Sequence, residues 1–170
     1  MPTNLEQMQS LPLILIRGLP GVGKSTLAQR AFPQRFLIEA DHFFVTACGD
    51  YQWHAALASR AHAWCLSTTQ DHLTVGHQVV VANTFVRRLE LSPYFRLYTA
   101  FGRTPWQQKV GVVTVQPGLL TNADLARRTE ASGHQVPLHV LARMRSAWED
   151  CADEYLLPQE TPQQEVPYVS

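Results

Sequence analysis

The stretch Gly18-Leu19-Pro20-Gly21-Val22-Gly23-Lys24-Ser25 fits the pattern G-x-x-x-x-G-K-[ST] at each fixed position, and nothing else in the chain restricts its fold as tightly. It follows an apolar run, Leu13-Ile14-Leu15-Ile16, that reads as a buried strand. It leads into Thr26-Leu27-Ala28-Gln29-Arg30-Ala31, residues that favour a helix. Strand, glycine-rich turn and helix in that order make a phosphate-binding loop. The glycines permit a tight turn whose backbone N–H groups point inward at a phosphate, and the start of the helix adds a dipole that favours an anion. Gly18, Leu19, Pro20, Gly21, Val22, Gly23, Lys24, Ser25 and Thr26 are therefore the candidate ATP-binding set. Lys24 is placed to reach the β- and γ-phosphate oxygens, and the Ser25 hydroxyl to ligate Mg2+.

The rest of the chain alternates between strand and helix patterns. Residues 35–40 read as a second strand ending at Asp41, and 42–53 as loop. Residues 54–75 carry a helical pattern, with Leu57, Ala61, Trp64, Cys65 and Thr68 on one face, that Gly76 stops. Residues 77–82 form a third strand, 90–102 a helix with Pro93 in its first turn, and 109–115 a fourth strand. Thr121-Asn122-Ala123-Asp124 has the form of a capping box and opens a short helix ending near Gly133, and Pro137 starts a last helix through Trp148. This order predicts an α/β chain with the P-loop NTPase fold: a parallel sheet flanked by helices, a small helical lid, and a ligand site at the carboxyl ends of the strands.

At 170 residues the chain is long enough for one self-supporting domain, expected over residues 1–155. From Leu156 on, three prolines with Gln, Glu and Thr predict a mobile acidic tail over 156–170. No apolar run approaches the ~20 residues of a membrane span and no signal sequence opens the chain, so the expected setting is the cytoplasm, with no membrane partner. Cys48, Cys65 and Cys151 form no metal-binding or disulfide pattern and are expected to be buried thiols. All fourteen Lys and Arg precede Glu149, against eight acids there, so a body of +6 is followed by a segment of −6. A positive body suits a polyanion such as ATP or nucleic acid.

Several residues are placed for chemistry. Asp41 projects from the sheet edge that carries the phosphate loop, which suits a general base that accepts the proton of an acceptor hydroxyl; the alternatives are a cap for the following turn or a carboxylate for a metal-bound water. Asn83 ends the third strand where many NTPases carry an acid, and it either orients a water or acceptor or ties down the turn. Arg127 and Arg128 are candidate cations to close over the ATP phosphates, although a helix C-terminus also favours arginine for structural reasons. His134 reads as a packing or hinge residue rather than an acid or base. Tyr51, Trp53, His62 and Trp64 include a candidate stacking surface, with Trp64 at a core spacing.

Over about residues 13–149 the chain resembles the polynucleotide-kinase-like branch of the P-loop kinases. The residues that carry the resemblance are the strand and loop Leu-Ile-Leu-Ile-Arg-Gly-Leu-Pro-Gly-x-Gly-Lys-Ser-Thr, Glu39-Ala40-Asp41-His42-Phe43-Phe44, Gly49-Asp50-Tyr51, Ala61-His62-Ala63-Trp64-Cys65, Val80-Val81-Ala82-Asn83-Thr84, Pro93-Tyr94 and His134-Gln135-Val136-Pro137. Phage-type kinases that phosphorylate 5-hydroxymethyluracil in DNA look similar in size. The resemblance implies that Asp41 is the base and that Arg127 or Arg128 is a lid cation. The chain departs from the pattern at Val22 for a usual Ser, at His42 for a common second Asp, and in a longer spacing from Arg128 to His134. The reading is a Mg-ATP-dependent kinase acting on a hydroxyl of nucleic acid, either a 5′ end or a hydroxymethylated base, with Tyr51 and Asn83 on the acceptor side. A kinase of a small metabolite or nucleoside shares every residue named, and a nucleotide-gated binding protein that transfers nothing is the alternative of another class.

Overall fold

The computed structural model describes residues 5–99, 109–151 and 154–157. It contains a five-stranded, all-parallel sheet of β1 (Leu13–Arg17), β2 (Phe36–Ile38), β3 (Val79–Asn83), β4 (Val110–Val115) and β5 (Glu154–Leu157), in the order β2-β3-β1-β4-β5. Around it lie α1 (Leu5–Met8), α2 (Lys24–Ala31), α3 (Ala58–Thr74), α4 (Arg88–Thr99), α5 (Asn122–Ala131) and α6 (Leu138–Ser146). Every residue of β1, β3 and β4 is buried, which is why these strands read as unbroken apolar runs. Their side chains alternate between two cores. Ile14, Ile16, Val80 and Val113 pack with Ala28, Phe32, Leu125 and Leu141, while Leu13, Leu15, Val79 and Val112 pack with Ala61, Cys65, Leu91 and Tyr94. Among the described residues no helix is long and apolar enough to cross a membrane.

The expected elements are present, with shifts that have local causes. β2 stops at Ile38 because the N–H of Ala40 donates to the Asn83 side chain at 2.9 Å rather than to a strand, and the chain turns into a 3-10 helix, Ala40–Phe44. Asp41 therefore stands in that turn and not at a strand end. A second 3-10 turn, Ala55–Leu57, leads into α3, which ends before Gly76 at φ 86°. α4 begins two residues early because the Glu90 carboxylate accepts from the N–H groups of Val86 and Arg87 at 3.1 and 3.3 Å, which moves Pro93 out of the first turn. Residues 100–102, assigned to this helix from the sequence, lie outside the described residues. The capping box at Thr121 and Asp124 forms as expected.

Besides the 3-10 turns, two elements were not anticipated: α1, and β5 at the sheet edge. β5 pairs Thr114 with Leu156 and Val115 with Leu157, so the ordered chain runs past the boundary expected at 155/156. The rest of the expected tail, 158–170, lies outside the described residues. Of the three cysteines expected to be buried only Cys65 is; Cys48 is exposed and Cys151 half-buried. Trp64 is half-buried against Phe43 rather than fully in the core, and Thr69, not Thr68, is the threonine that α3 buries.

Candidate functional site

The phosphate loop leaves the buried end of β1 and closes on the first turn of α2. Gly21 and Gly23 have φ of 82° and 97°, a region that L side chains rarely adopt. At Gly21 a Cβ would also stand 2.7 Å from the Leu125 carbonyl oxygen, because α5 packs directly on the loop. Leu19 and Val22 turn their side chains into the core and offer the ligand only backbone. Pro20, Gly21, Gly23, Lys24, Ser25 and Thr26 line a cleft of about 700 Å³ at the carboxyl ends of the strands. Gly18 is buried and donates its N–H to the Thr84 carbonyl at 3.2 Å, which fastens the loop to the segment after β3. Lys24 and Ser25 open α2, where the helix dipole favours an anion.

Opposite the loop stands the 3-10 turn with its two carboxylates. Ser25 donates its hydroxyl to Glu39 Oε1 at 2.5 Å, and His42 Nε2 lies 3.1 Å from Glu39 Oε2. Burial pushes the Glu39 carboxyl up, but the hydrogen bonds from His42 and Ser25, with the charges of His42 and Lys24, outweigh it and hold the group below the usual range. The same bond to Glu39 raises His42 against the opposing effect of its burial. Burial draws the Lys24 ammonium down to about 8 although Glu39 and Asp41 pull the other way, and its Nζ donates to the Leu19 carbonyl at 3.1 Å.

Asp41 has different neighbours. Tyr51 donates its hydroxyl to Asp41 Oδ1 at 3.0 Å, and His134 Nδ1 lies 3.3 Å from Oδ2. The Tyr51 and His134 rings stack with centroids 4.1 Å apart. The Asp41 side chain keeps 53% exposure, against 16% for Glu39, so it faces the open cleft. Burial first, and then the Asp41 carboxylate, push the Tyr51 hydroxyl up and keep it protonated as the donor. Asn83 is buried, and its amide accepts from the Ala40 N–H and donates to Cys65 Sγ at 3.4 Å, so it fixes the turn that carries both carboxylates.

The paired arginines separate. Arg127 points away to an ion pair with Asp124, the capping acid three residues earlier, while Arg128 lines the cleft. The Asp124–Arg127 spacing was visible in the sequence and would have marked Arg127 as the structural member of the pair. No sequence pattern marks Glu39 as part of the site, because only folding brings it to Ser25, fourteen positions away. His134, expected to pack rather than act as an acid or base, stacks on Tyr51 and also reaches Asp41 from beyond the end of α5.

A family model described as an AAA domain matches residues 13–150. NEDD4-binding protein 2 from Homo sapiens is 32% identical over 91 residues, which cover 51% of this chain and 5% of that protein. The chain thus spans a small part of the length of this curated relative. A chain in a structure of the Pnkp1/Rnl/Hen1 RNA repair complex superposes with a TM-score of 0.58 at 17% identity, covering 79% of this chain and 43% of that one. A gluconokinase from Sinorhizobium meliloti 1021 gives a TM-score of 0.55 at 17% identity, covering 89% and 85% of the two chains. The fold is that of the P-loop kinases.

Proposed function

We propose, because the chain belongs to the AAA domain family and sets a phosphate loop against a two-carboxylate turn, that it is an ATP-dependent kinase of a hydroxyl on nucleic acid. The observation that carries this reading is the split between Glu39 and Asp41. One carboxylate is tied to the loop serine, and the other is exposed toward the acceptor side with both oxygens held by Tyr51 and His134. Two carboxylates kept in unlike surroundings take unlike roles. Asp41 is the base that orients the acceptor hydroxyl and takes its proton, Tyr51 and His134 hold it in place, Lys24 and the loop N–H groups bind the phosphates, and Arg128 approaches them from α5.

The Ser25 hydroxyl and the Glu39 carboxylate form a small set of hard oxygen donors. That fits Mg2+, which keeps most of its waters and takes phosphate oxygens as ligands. When bound, the ion neutralises charge on the nucleotide phosphates. Glu39 would hold it with Ser25, while Asp41 stays free for the acceptor.

The positive body supports a polyanionic acceptor. The likeness to a gluconokinase over most of both chains favours a second reading, a kinase of a small hydroxylated metabolite. Incubation with γ-labelled ATP and a panel of 5′-hydroxyl DNA, 5′-hydroxyl RNA, hydroxymethyluracil DNA, nucleosides and gluconate tests both. Label on an oligonucleotide is the expected result. Label on gluconate or a nucleoside alone replaces the first reading with the second, and ATP turnover with no labelled acceptor contradicts both.

A further inference from the structure

A second chamber of about 690 Å³ opens beside the phosphate cleft, between α3, α4 and α6. The two share His62, Thr84 and Met144 as lining, so they lie side by side. Its floor is apolar and aromatic, built from Phe85, Tyr94, Pro93 and Met144. Arg87 and Arg143 line it as well, and their side chains make no hydrogen bond or ion pair among the described residues. This contrasts with Arg88, which pairs with Glu149, and Arg127, which pairs with Asp124. The acid in the lining, Glu90, is turned to the backbone N–H groups of Val86 and Arg87.

The wall is rigidly built. Phe85 is buried with φ 44°, a strained conformation for a bulky residue that persists only where its surroundings impose it. The surroundings are Arg17, wholly buried at the end of β1. Its guanidinium donates to the Phe85 carbonyl at 2.7 and 3.0 Å, to that of Val86 at 3.2 Å and to that of Glu149 at 2.7 Å, and it stacks 4.2 Å from the Trp148 ring. The Gly18 to Thr84 hydrogen bond joins this wall to the phosphate loop. A strained segment held by a buried cation and fastened to the ATP site is the construction expected of a binding surface, not of a surface turn.

We infer that this chamber seats the nucleotide that bears the acceptor hydroxyl, its base on the apolar floor and its neighbouring phosphate on Arg87 and Arg143. Guanidinium groups in the lining that have no partner among the described residues call for an oxyanion that they grip through paired N–H donors. The floor calls for a flat apolar face, and a polyhydroxylated sugar acid would leave its hydroxyls without partners there. The inference rests on the nucleic-acid kinase reading and narrows it to a phosphate-bearing acceptor.

Calorimetry on the full chain saturated with a non-hydrolysable ATP analogue tests it, with thymidine 3′-monophosphate, thymidine and gluconate as probes. The nucleotide should bind more tightly than thymidine. Arg87→Ala and Arg143→Ala should each weaken it by roughly 10-fold, with the affinity for the ATP analogue and for thymidine unchanged; Arg143→Glu should weaken it further. Equal binding of the nucleotide to all variants, or no gain over thymidine, overturns the proposal, as does arginine-dependent binding of gluconate in its place. Arginine-dependent binding of the nucleotide without phosphorylation of any acceptor would keep the chamber and reject the kinase reading. Equal phosphorylation of an oligonucleotide by parent and double variant would do the reverse.

Discussion

The two halves of the cleft are built by different means. On the phosphate side the contacts come from consecutive residues, where Gly21 and Gly23 shape the loop and Lys24 and Ser25 begin α2. On the side we propose faces the acceptor one carboxylate, Asp41, is held by Tyr51 and by His134, residues ten and more than ninety positions away. The first half is a local solution to binding an anion and tolerates little change. The second is a convergence of loops, and loops on a rigid sheet are where specificity is set. Glu39 and Asp41 mark the border: Glu39 directly precedes the 3-10 turn that holds Asp41 and joins the phosphate half through Ser25, while Asp41 belongs to the half we propose faces the acceptor.

The largest expected effect lies in the phosphate half. Lys24→Ala should lower transfer by roughly 10³-fold or more, because the ammonium beside the loop has no substitute, while the fold persists. A steady-state assay with circular dichroism as control checks this, and near-parental turnover would remove the phosphate-loop assignment.

A smaller effect separates the lid arginines. Arg128→Ala should reduce kcat/KM by roughly 10-fold or more, since this side chain lines the cleft. Arg127→Ala should leave kcat/KM within about twofold of the parent, because its partner Asp124 lies outside that lining. Parallel kinetics decide, and a reversed order would place the lid cation on the other face of α5.

The smallest effect concerns the brace between His42 and Glu39. His42 is raised by its bond to Glu39, so its stabilisation is complete below the ordinary histidine value of 6.5 and is lost as pH rises through the raised value. Glu39 is held low, so its share is present above the ordinary carboxylate range and lost as pH falls through the depressed value. His42→Gln should therefore destabilise the protein near pH 6 and cost less as pH rises past the raised His42 value. With the His42 side chain 43% exposed, the difference is about 0.5 kcal/mol after solvent screening. Thermal melts of both proteins at several pH values check the trend, and a gap that widens with rising pH would contradict it.

The same division governs what the sequence made legible. A phosphate loop is a contiguous motif between a strand and a helix, and the central strands are buried on both faces, so both could be read directly. Asp41 could be read as well, although its placement at a strand end gave way to a 3-10 turn once Asn83 took the Ala40 N–H. The grip of Tyr51 and His134 on Asp41 could not, because no periodicity links positions 41, 51 and 134. β5 hid for another reason: four residues in an acidic, proline-bearing stretch carry no strand pattern until the exposed edge of β4 pairs with them.

If the two carboxylates serve opposite halves of the cleft, Mg-ATP affinity and transfer rate must respond differently to Asp41→Asn and Glu39→Gln, and measuring both quantities for both variants decides it. Asp41→Asn should bind Mg-ATP nearly as the parent does and lose roughly 10²-fold or more in rate, the size of a removed base. Glu39→Gln should weaken Mg-ATP binding and raise the Mg2+ concentration needed for half-maximal rate. If Asp41→Asn loses ATP affinity as steeply as rate while Glu39→Gln keeps both, the assignments are exchanged and the account of the site is wrong.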